Sequence, residues 1–238
     1  MMFFKKWFDK SPIIKFKSFI GDFSIATPIV IAGKIKAKWR TTQTDNKFDR
    51  CPGMWDYANA GYIITAHTDI HIKANKVGVI IKVGSNITEL QPQQFEFNFV
   101  DGMTTIDNVK QYAAKVPLPW SIQAKSGYSA YVMTAIMHVD YLDKIFIYPG
   151  IVDFDKFHTI NFAFSPIKEC EFTIYAGTPI LQVIPFKREK ITAECGKTTD
   201  AERDRHIFNF PSKMRNYYRK FLYGRKSYTM KCPHNHRG

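Results

Sequence analysis

His67, Asp69 and His71 stand two residues apart, and on an extended strand that spacing puts all three side chains on one face. Two imidazoles and a carboxylate form a donor set for zinc or iron. Thr65 and Lys73 continue the same face, however, and give it the composition of an ordinary solvent-facing strand. Cys232-Pro233-His234-Asn235-His236 gathers soft ligands near the end of the chain, yet no second cluster completes a four-ligand site. Neither group is assigned a metal. A third constellation interleaves Tyr217, Tyr218, Phe221, Tyr223 and Tyr228 with Arg215, Arg219, Lys220, Arg225 and Lys226. Aromatic rings stack on bases and cations hold phosphates, which is the chemistry of a surface for single-stranded nucleic acid. Read as a helix, the same segment places Met214, Tyr217, Tyr218, Phe221 and Leu222 on one stripe. That stripe suits packing on the body or on a neighbouring subunit, and it leaves the opposite basic face open. No G-x-x-x-x-G-K loop, G-x-S-x-G elbow or H-E-x-x-H helix occurs, which argues against the chemistries those motifs serve.

The elements that must carry these residues fall into three regions. From Met1 to Asn59 the chain is irregular, with one strand candidate at Ile29–Ile35 and a turn at Cys51-Pro52-Gly53. From Ala60 to about Lys190 it reads as strands. Ile64 to Ile72 alternates apolar and polar residues, the pattern of one strand with one buried face. Val77–Val83 is mostly apolar and suits a strand covered on both faces, while Phe95, Phe97 and Phe99 mark another half-buried strand. Ser129–Met137, Thr159–Phe164, Phe172–Tyr175 and Ile180–Phe186 continue the series. Gly84-Ser85-Asn86, Pro117, Pro119, Gly127, Pro149-Gly150, Pro166 and Gly177 fall as punctuation between runs. A helical insert is expected near Ile106–Ala114. Many short strands at this spacing indicate a barrel or sandwich. From Thr198 to Gly238 the character changes, with short helices expected at Ala201–His206 and Lys213–Tyr223 and a basic tail beyond Gly224.

Charge sharpens this division. The net charge is +13, and from Ala201 onward ten Lys or Arg face only Glu202 and Asp204, which places +8 in that region. Such a field attracts phosphates on nucleotides, nucleic acid or lipid headgroups, and equally keeps a β protein soluble. No stretch has the ~18 uninterrupted apolar residues of a membrane span, and Met1 to Phe8 lacks the apolar core and cleavage site of a signal peptide. Cys51, Cys170, Cys195 and Cys232 are widely spaced, so free thiols and a cytoplasmic location are expected.

The run Pro149-Gly150-Ile151-Val152-Asp153-Phe154-Asp155 resembles the hairpin motif of dUTPases and dCTP deaminases: a Pro-Gly, two β-branched residues, then Asp-x-Asp. Thr159–Phe164 follows, and then Phe172-Thr173-Ile174-Tyr175-Ala176-Gly177-Thr178-Pro179-Ile180-Leu181-Gln182-Val183. That superfamily likewise has a strand after its hairpin and then a segment of "phe-thr-ile, x, x, gly, x, x, ile, x, gln" form. Upstream, Asn59-Ala60-Gly61-Tyr62 is similar to the start of the family's first motif. Pro119-Trp120-Ser121 with Gly127 is similar to its "pro-arg-ser … gly" phosphate motif. In style the chain also resembles phage-encoded members with an extended N-terminal part.

The resemblance implies a mainly β fold, a dUTPase-like distorted β-barrel with an irregular N-terminal extension and a short C-terminal helix. It implies an extension over 1–59, a β domain over 60–190 and a basic region over 198–238. By the same resemblance Asp153 falls where the family's water-activating carboxylate stands, a role that requires accepting a proton beside a phosphate. Gly150, Asp155, Phe157, Ser121 and Gly127 fall at nucleotide-binding positions. Other family features are replaced. The aromatic under the sugar falls at Lys156, or at Phe157 with a one-residue slip, and the following "gly-glu" becomes His158-Thr159. The first-motif Asp becomes Ile63, which offers no oxygen to magnesium. The phosphate-binding Arg becomes Trp120, which loses a bidentate anion clamp. No Gly-rich closing segment exists, and the Glu and Arg pair of the deaminases is not identifiable. The expectation is a protein without standard dUTP pyrophosphatase activity that binds a nucleotide, nucleic acid or protein partner. The alternatives are a deoxynucleotide hydrolase using Asp153, with magnesium in that case only, and a structural, virion or host-interaction protein. Surplus apolar strand surface and the family's shared strands lead us to expect a homotrimer.

Overall fold

A computed structural model describes residues 14–18, 29–35, 52–75, 79–84, 88–90, 114–155 and 159–209. The described chain is mainly β. Its strands are β1 (Ile14–Ser18), β2 (Val30–Ile31), β3 (Tyr62–Thr65), β4 (Ile70–Ala74), β5 (Val79–Val83), β6 (Thr88–Leu90) and β7 (Ala114–Ala124). They continue with β8 (Tyr128–Thr134), β9 (Ile145–Ile147), β10 (Gly150–Val152), β11 (Thr159–Pro166), β12 (Cys170–Ile174) and β13 (Pro179–Lys187). Two helices, α1 (Pro52–Asn59) and α2 (Asp200–Asn209), and a 3-10 turn at Ala32–Lys34 complete the list. None of these helices is long and apolar enough to cross a membrane.

The strands form three antiparallel sheets, ordered β1-β7-β11-β9, β10-β8-β13-β3-β2 and β12-β4-β5-β6. None of them closes into the barrel that the strand spacing led us to expect. One continuous core takes residues from all three, including Ile63, Ile72, Ile81, Trp120, Phe162, Phe164 and Val183. In strands such as β4 and β7 inward positions alternate with outward ones, while β3 and β13 are buried at consecutive residues. β7 shows the alternation over eleven residues, with Ala114, Val116, Leu118, Trp120, Ile122 and Ala124 inward.

Several local expectations give way. Ile64–Ile72 is not one strand: β3 pairs with β13 and β4 pairs with β12, so the chain changes sheet at Ala66–Asp69. Its antiparallel partner changes sheet at Tyr175–Thr178, and the two corners are stitched by Ala66 N–H to Thr178 O and Gly177 N–H to Ala66 O, both 2.8 Å. The ribbon therefore bends as a unit. β5 is not covered on both faces, since Ile80 points to solvent while Val79 and Ile81 are buried. Of Ile29–Ile35 only two residues are strand before the 3-10 turn.

Pro117 and Pro119 do not punctuate; they lie inside β7. β1 pairs only with Trp120–Ala124, so beyond it one edge of β7 has no described partner strand. Two prolines without an N–H are tolerated on such an edge. Cys51-Pro52-Gly53 is not a simple turn either, because Pro52 opens α1. Its missing N–H costs nothing in the first turn of a helix, and its fixed φ suits that position. α2 covers the expected Ala201–His206. Thr199 and Glu202 cap it reciprocally, the Glu202 carboxylate accepting from Thr199 N–H at 2.9 Å and Thr199 Oγ1 accepting from Glu202 N–H at 3.3 Å. Phe95–Phe99 and the helix at Lys213–Tyr223 lie outside the described residues, as does the helical insert expected near Ile106–Ala114 except for Ala114, which opens β7.

Candidate functional site

β10 pairs with β8 through Gly150 and Val132, Ile151 and Tyr131, and Val152 and Ala130. One step further the register sets Asp153 opposite Ser129, and the Ser129 hydroxyl donates a short hydrogen bond to Asp153 Oδ1. β13 flanks β8 on its other side, with Phe186 opposite Ser129 and Lys187 opposite Tyr128. The next residue, Arg188, donates its backbone N–H to Gly127 O at 2.8 Å. Gly127 turns the chain between β7 and β8 with φ +86°. From that anchor the Arg188 guanidinium forks across the hairpin. Nη1 lies 3.1 Å from Asp153 Oδ2, and Nη2 donates to Asp155 Oδ2 at 2.6 Å.

Arg188 and Asp153 are partly open to solvent, whereas Ser129 is buried and the Asp155 side chain is only 12% exposed. The hydrogen bond from Arg188 to Asp155 is the largest influence holding the guanidinium above its ordinary pKa; the charges of Asp155 and Asp153 add to it. Both oxygens of Asp153 are engaged, one by a hydroxyl donor and one by a cation. A carboxylate has about four lone-pair sites, so these two partners orient Asp153 and leave acceptor capacity on its half-exposed side chain. The arrangement is a clasp that pins the hairpin to the end of β13.

The structure thus brings Gly127, Asp153 and Asp155 together, with Gly150 at the start of the same hairpin. Ser121 stands elsewhere, on the outer face of β7 between Lys17 of β1 and Thr159 of β11. Phe157, with Lys156 and His158, lies outside the described residues. Ser129 and Arg188 are the residues sequence reasoning missed. The available signal was an arginine one residue past a strand whose neighbour pairs with an Asp-x-Asp hairpin.

Ile63 and Trp120, which the resemblance aligns with the family's Asp and Arg, are inside the core. Ile63 is fully buried, and Trp120 is 3% exposed, its indole N–H without a partner among the described residues. Gln182, the last residue of the sequence pattern, is also fully buried. Its Nε2 donates to Tyr57 O and Ala60 O, each at 2.7 Å, and so gathers the C-terminal end of α1 onto β13. His138 reaches Ala58 O at 3.2 Å, and Tyr57 donates to Thr134 O at 3.0 Å, from the same side. Gly61, with φ +67°, follows this helix; a Cβ there would collide with Val183 O.

The His67, Asp69 and His71 set is dispersed by the corner between β3 and β4. Asp69 accepts from Ala176 N–H at 2.8 Å, and His71 meets Thr173 at 3.1 Å and Glu171 at 3.4 Å. His67 is half-buried, and desolvation lowers its pKa. Among the described residues no group of three His, Cys, Asp or Glu is placed to hold a metal ion. Cys232–His236 and the aromatic-basic run from Arg215 to Tyr228 lie outside the described residues. No protein-family model matches the chain, and no curated protein matches it.

Proposed function

We propose that the chain is a dUTPase-like protein that binds a nucleotide or nucleic acid without standard pyrophosphatase chemistry. One observation carries the reading: Ser129 and Arg188 hold the Asp153 carboxylate as a structural tie between the hairpin, β8 and the end of β13. The position that resembles the magnesium-holding Asp supports it, because Ile63 is buried hydrocarbon and offers no oxygen to a hard cation. The residues present do not fit magnesium there, and no step is routed through it. Trp120 supports it too, since a ring turned into the core cannot clamp a phosphate from outside. The net charge of +13 favours a phosphate-bearing ligand.

Two measurements test this together. Calorimetry against deoxynucleoside triphosphates and short oligonucleotides should give binding, while a phosphate-release assay with magnesium should stay at background. Phosphate release that disappears in Asp153→Asn would establish a hydrolase instead. No binding at millimolar ligand would remove the nucleotide and nucleic-acid reading and leave a protein partner as the remaining class.

A further inference from the structure

The sheet β1-β7-β11-β9 buries one face in the core, and among the described residues its other face carries exposed and half-buried side chains. Its outward side chains have an unusual composition. Lys15 and Lys17 project from β1 and Lys115 from β7, all exposed, and none is in an ion pair among the described residues. No outward position of the four strands carries an acid. The rest of the face is small or uncharged, as at Ser121, Asn161 and Ala163.

At one edge of this face stands an aromatic. Phe146 of β9 is 50% exposed, opposite Ser165 of β11. Tyr148 packs edge-on against it at 5.2 Å with the rings at 85°, and the Tyr148 hydroxyl is fixed to Ser165 at 2.7 Å. These contacts hold the half-exposed ring in place at the edge of the sheet.

The register gives the distances. Lys115 lies opposite Ala163, two residues along β11 from Ser165, so it sits roughly 10 Å across the sheet from Phe146 with a further offset along the strand. Ser121, with Lys17 directly opposite on β1, lies six residues further along β7, roughly 20 Å away at strand rise. Aromatic shelf, cation, then a hydroxyl flanked by two cations form a diagonal track. Its length suits about four nucleotides, the lower end of site sizes on β platforms.

We infer that the outer face of this sheet binds single-stranded nucleic acid, with a base stacked on Phe146 and phosphates running past Lys115 to Ser121, Lys17 and Lys15. The inference rests on the nucleic-acid part of the proposed function and adds the surface and the strandedness. A duplex keeps its bases stacked on one another and offers no free base face to a ring standing on a flat sheet. A single strand does. The lysines supply the sequence-independent, salt-sensitive part of the attraction.

The test uses the full chain and a fluorescent oligonucleotide of about twelve residues, single-stranded or annealed to its complement. Phe146→Ala should weaken single-strand binding roughly tenfold, because stacking on one ring is lost. A Lys17→Glu, Lys115→Glu variant should weaken it further and flatten the dependence of log K on log salt by about 1.4. All three side chains are exposed, so circular dichroism should confirm native folding in both variants. If the wild type binds and both variants bind as well as it does, this face is not the site, though the proposed function stands. Preference for the duplex would also overturn the inference. If the wild type binds no oligonucleotide in either form, the nucleic-acid reading falls with it.

Discussion

Gln182→Ala should destabilise the fold more than its single uncharged amide would suggest. The side chain is fully buried on β13 and donates to two carbonyls, Tyr57 O and Ala60 O. Each such hydrogen bond is worth about 1 kcal/mol net, and a buried acceptor left bare costs about 1–3 kcal/mol. Tyr57 O keeps a second donor, Ala60 N–H at 3.1 Å, so its loss is the smaller one. Gln182 Oε1 has no partner among the described residues, and removing it returns part of the cost. Adding a partly collapsed cavity, the balance is about 2–4 kcal/mol. For a chain of this size that is a fall in Tm of roughly 5–15 °C. Gln182→Met separates the causes, because it fills similar volume but cannot donate. By scanning calorimetry Met should recover the cavity share and leave a deficit of about 1–3 kcal/mol. If Met matches the wild type, the hydrogen bonds to the end of α1 contribute nothing and the account of Gln182 is wrong.

Gly61→Ala should leave little folded protein, since its Cβ meets Val183 O at a positive φ, whereas Gly127→Ala, with open space around it, should cost only about 1–2 kcal/mol for its φ. Equal Tm losses in chemical denaturation or melting would contradict the close approach of α1 to β13. Arg188→Gln should speed amide hydrogen exchange in Gly150–Asp155 while the central strands keep their protection, and the wild type should show a milder version of the same effect at high salt. Unchanged exchange would mean that β10 pairing alone holds the hairpin. For His67 the folded pKa lies below the unfolded value, so its contribution is complete above the ordinary histidine range and is lost as pH falls through it. The wild-type Tm should therefore drop between about pH 7 and pH 5, and His67→Asn should flatten that slope. Asp143 and Glu171, each held low first by a hydrogen-bonding lysine, act in a separate window below the carboxylate range.

Sequence pattern located β11 through its alternating burial, and β8, β12 and β13 as apolar, β-branched and aromatic runs bounded by Gly and Pro, β13 being buried at four consecutive residues. It failed where a local signal had two physical meanings. Pro52-Gly53 suits a turn and also the first turn of α1; Pro117 and Pro119 suit a loop and also an unpaired strand edge. The corner at Ala66–Asp69 contains no Gly or Pro at all. There the turn is made by Asp69 accepting from Ala176 N–H, a contact 107 residues away in sequence that no local pattern carries. The site divides the same way. Asp153 and Asp155 were legible by type and by their place after Pro149-Gly150, but their partners Ser129 and Arg188 arrive through strand register.

The burial of Ile63 and Trp120 limits what these positions can hold. Ile63 faces the core opposite Gln182, and Trp120 faces it from β7. A magnesium carboxylate or a phosphate-binding guanidinium at these places would be an unpaired buried charge, costing several kcal/mol before any ligand arrived. Point substitutions that restore a motif on paper would therefore damage the core here and gain no catalyst. With those two positions in the core, Asp153 stands beside Arg188 and Ser129, away from both. The clasp then closes the hairpin on β13 and leaves the outward chemistry of the molecule to its exposed cations and aromatics.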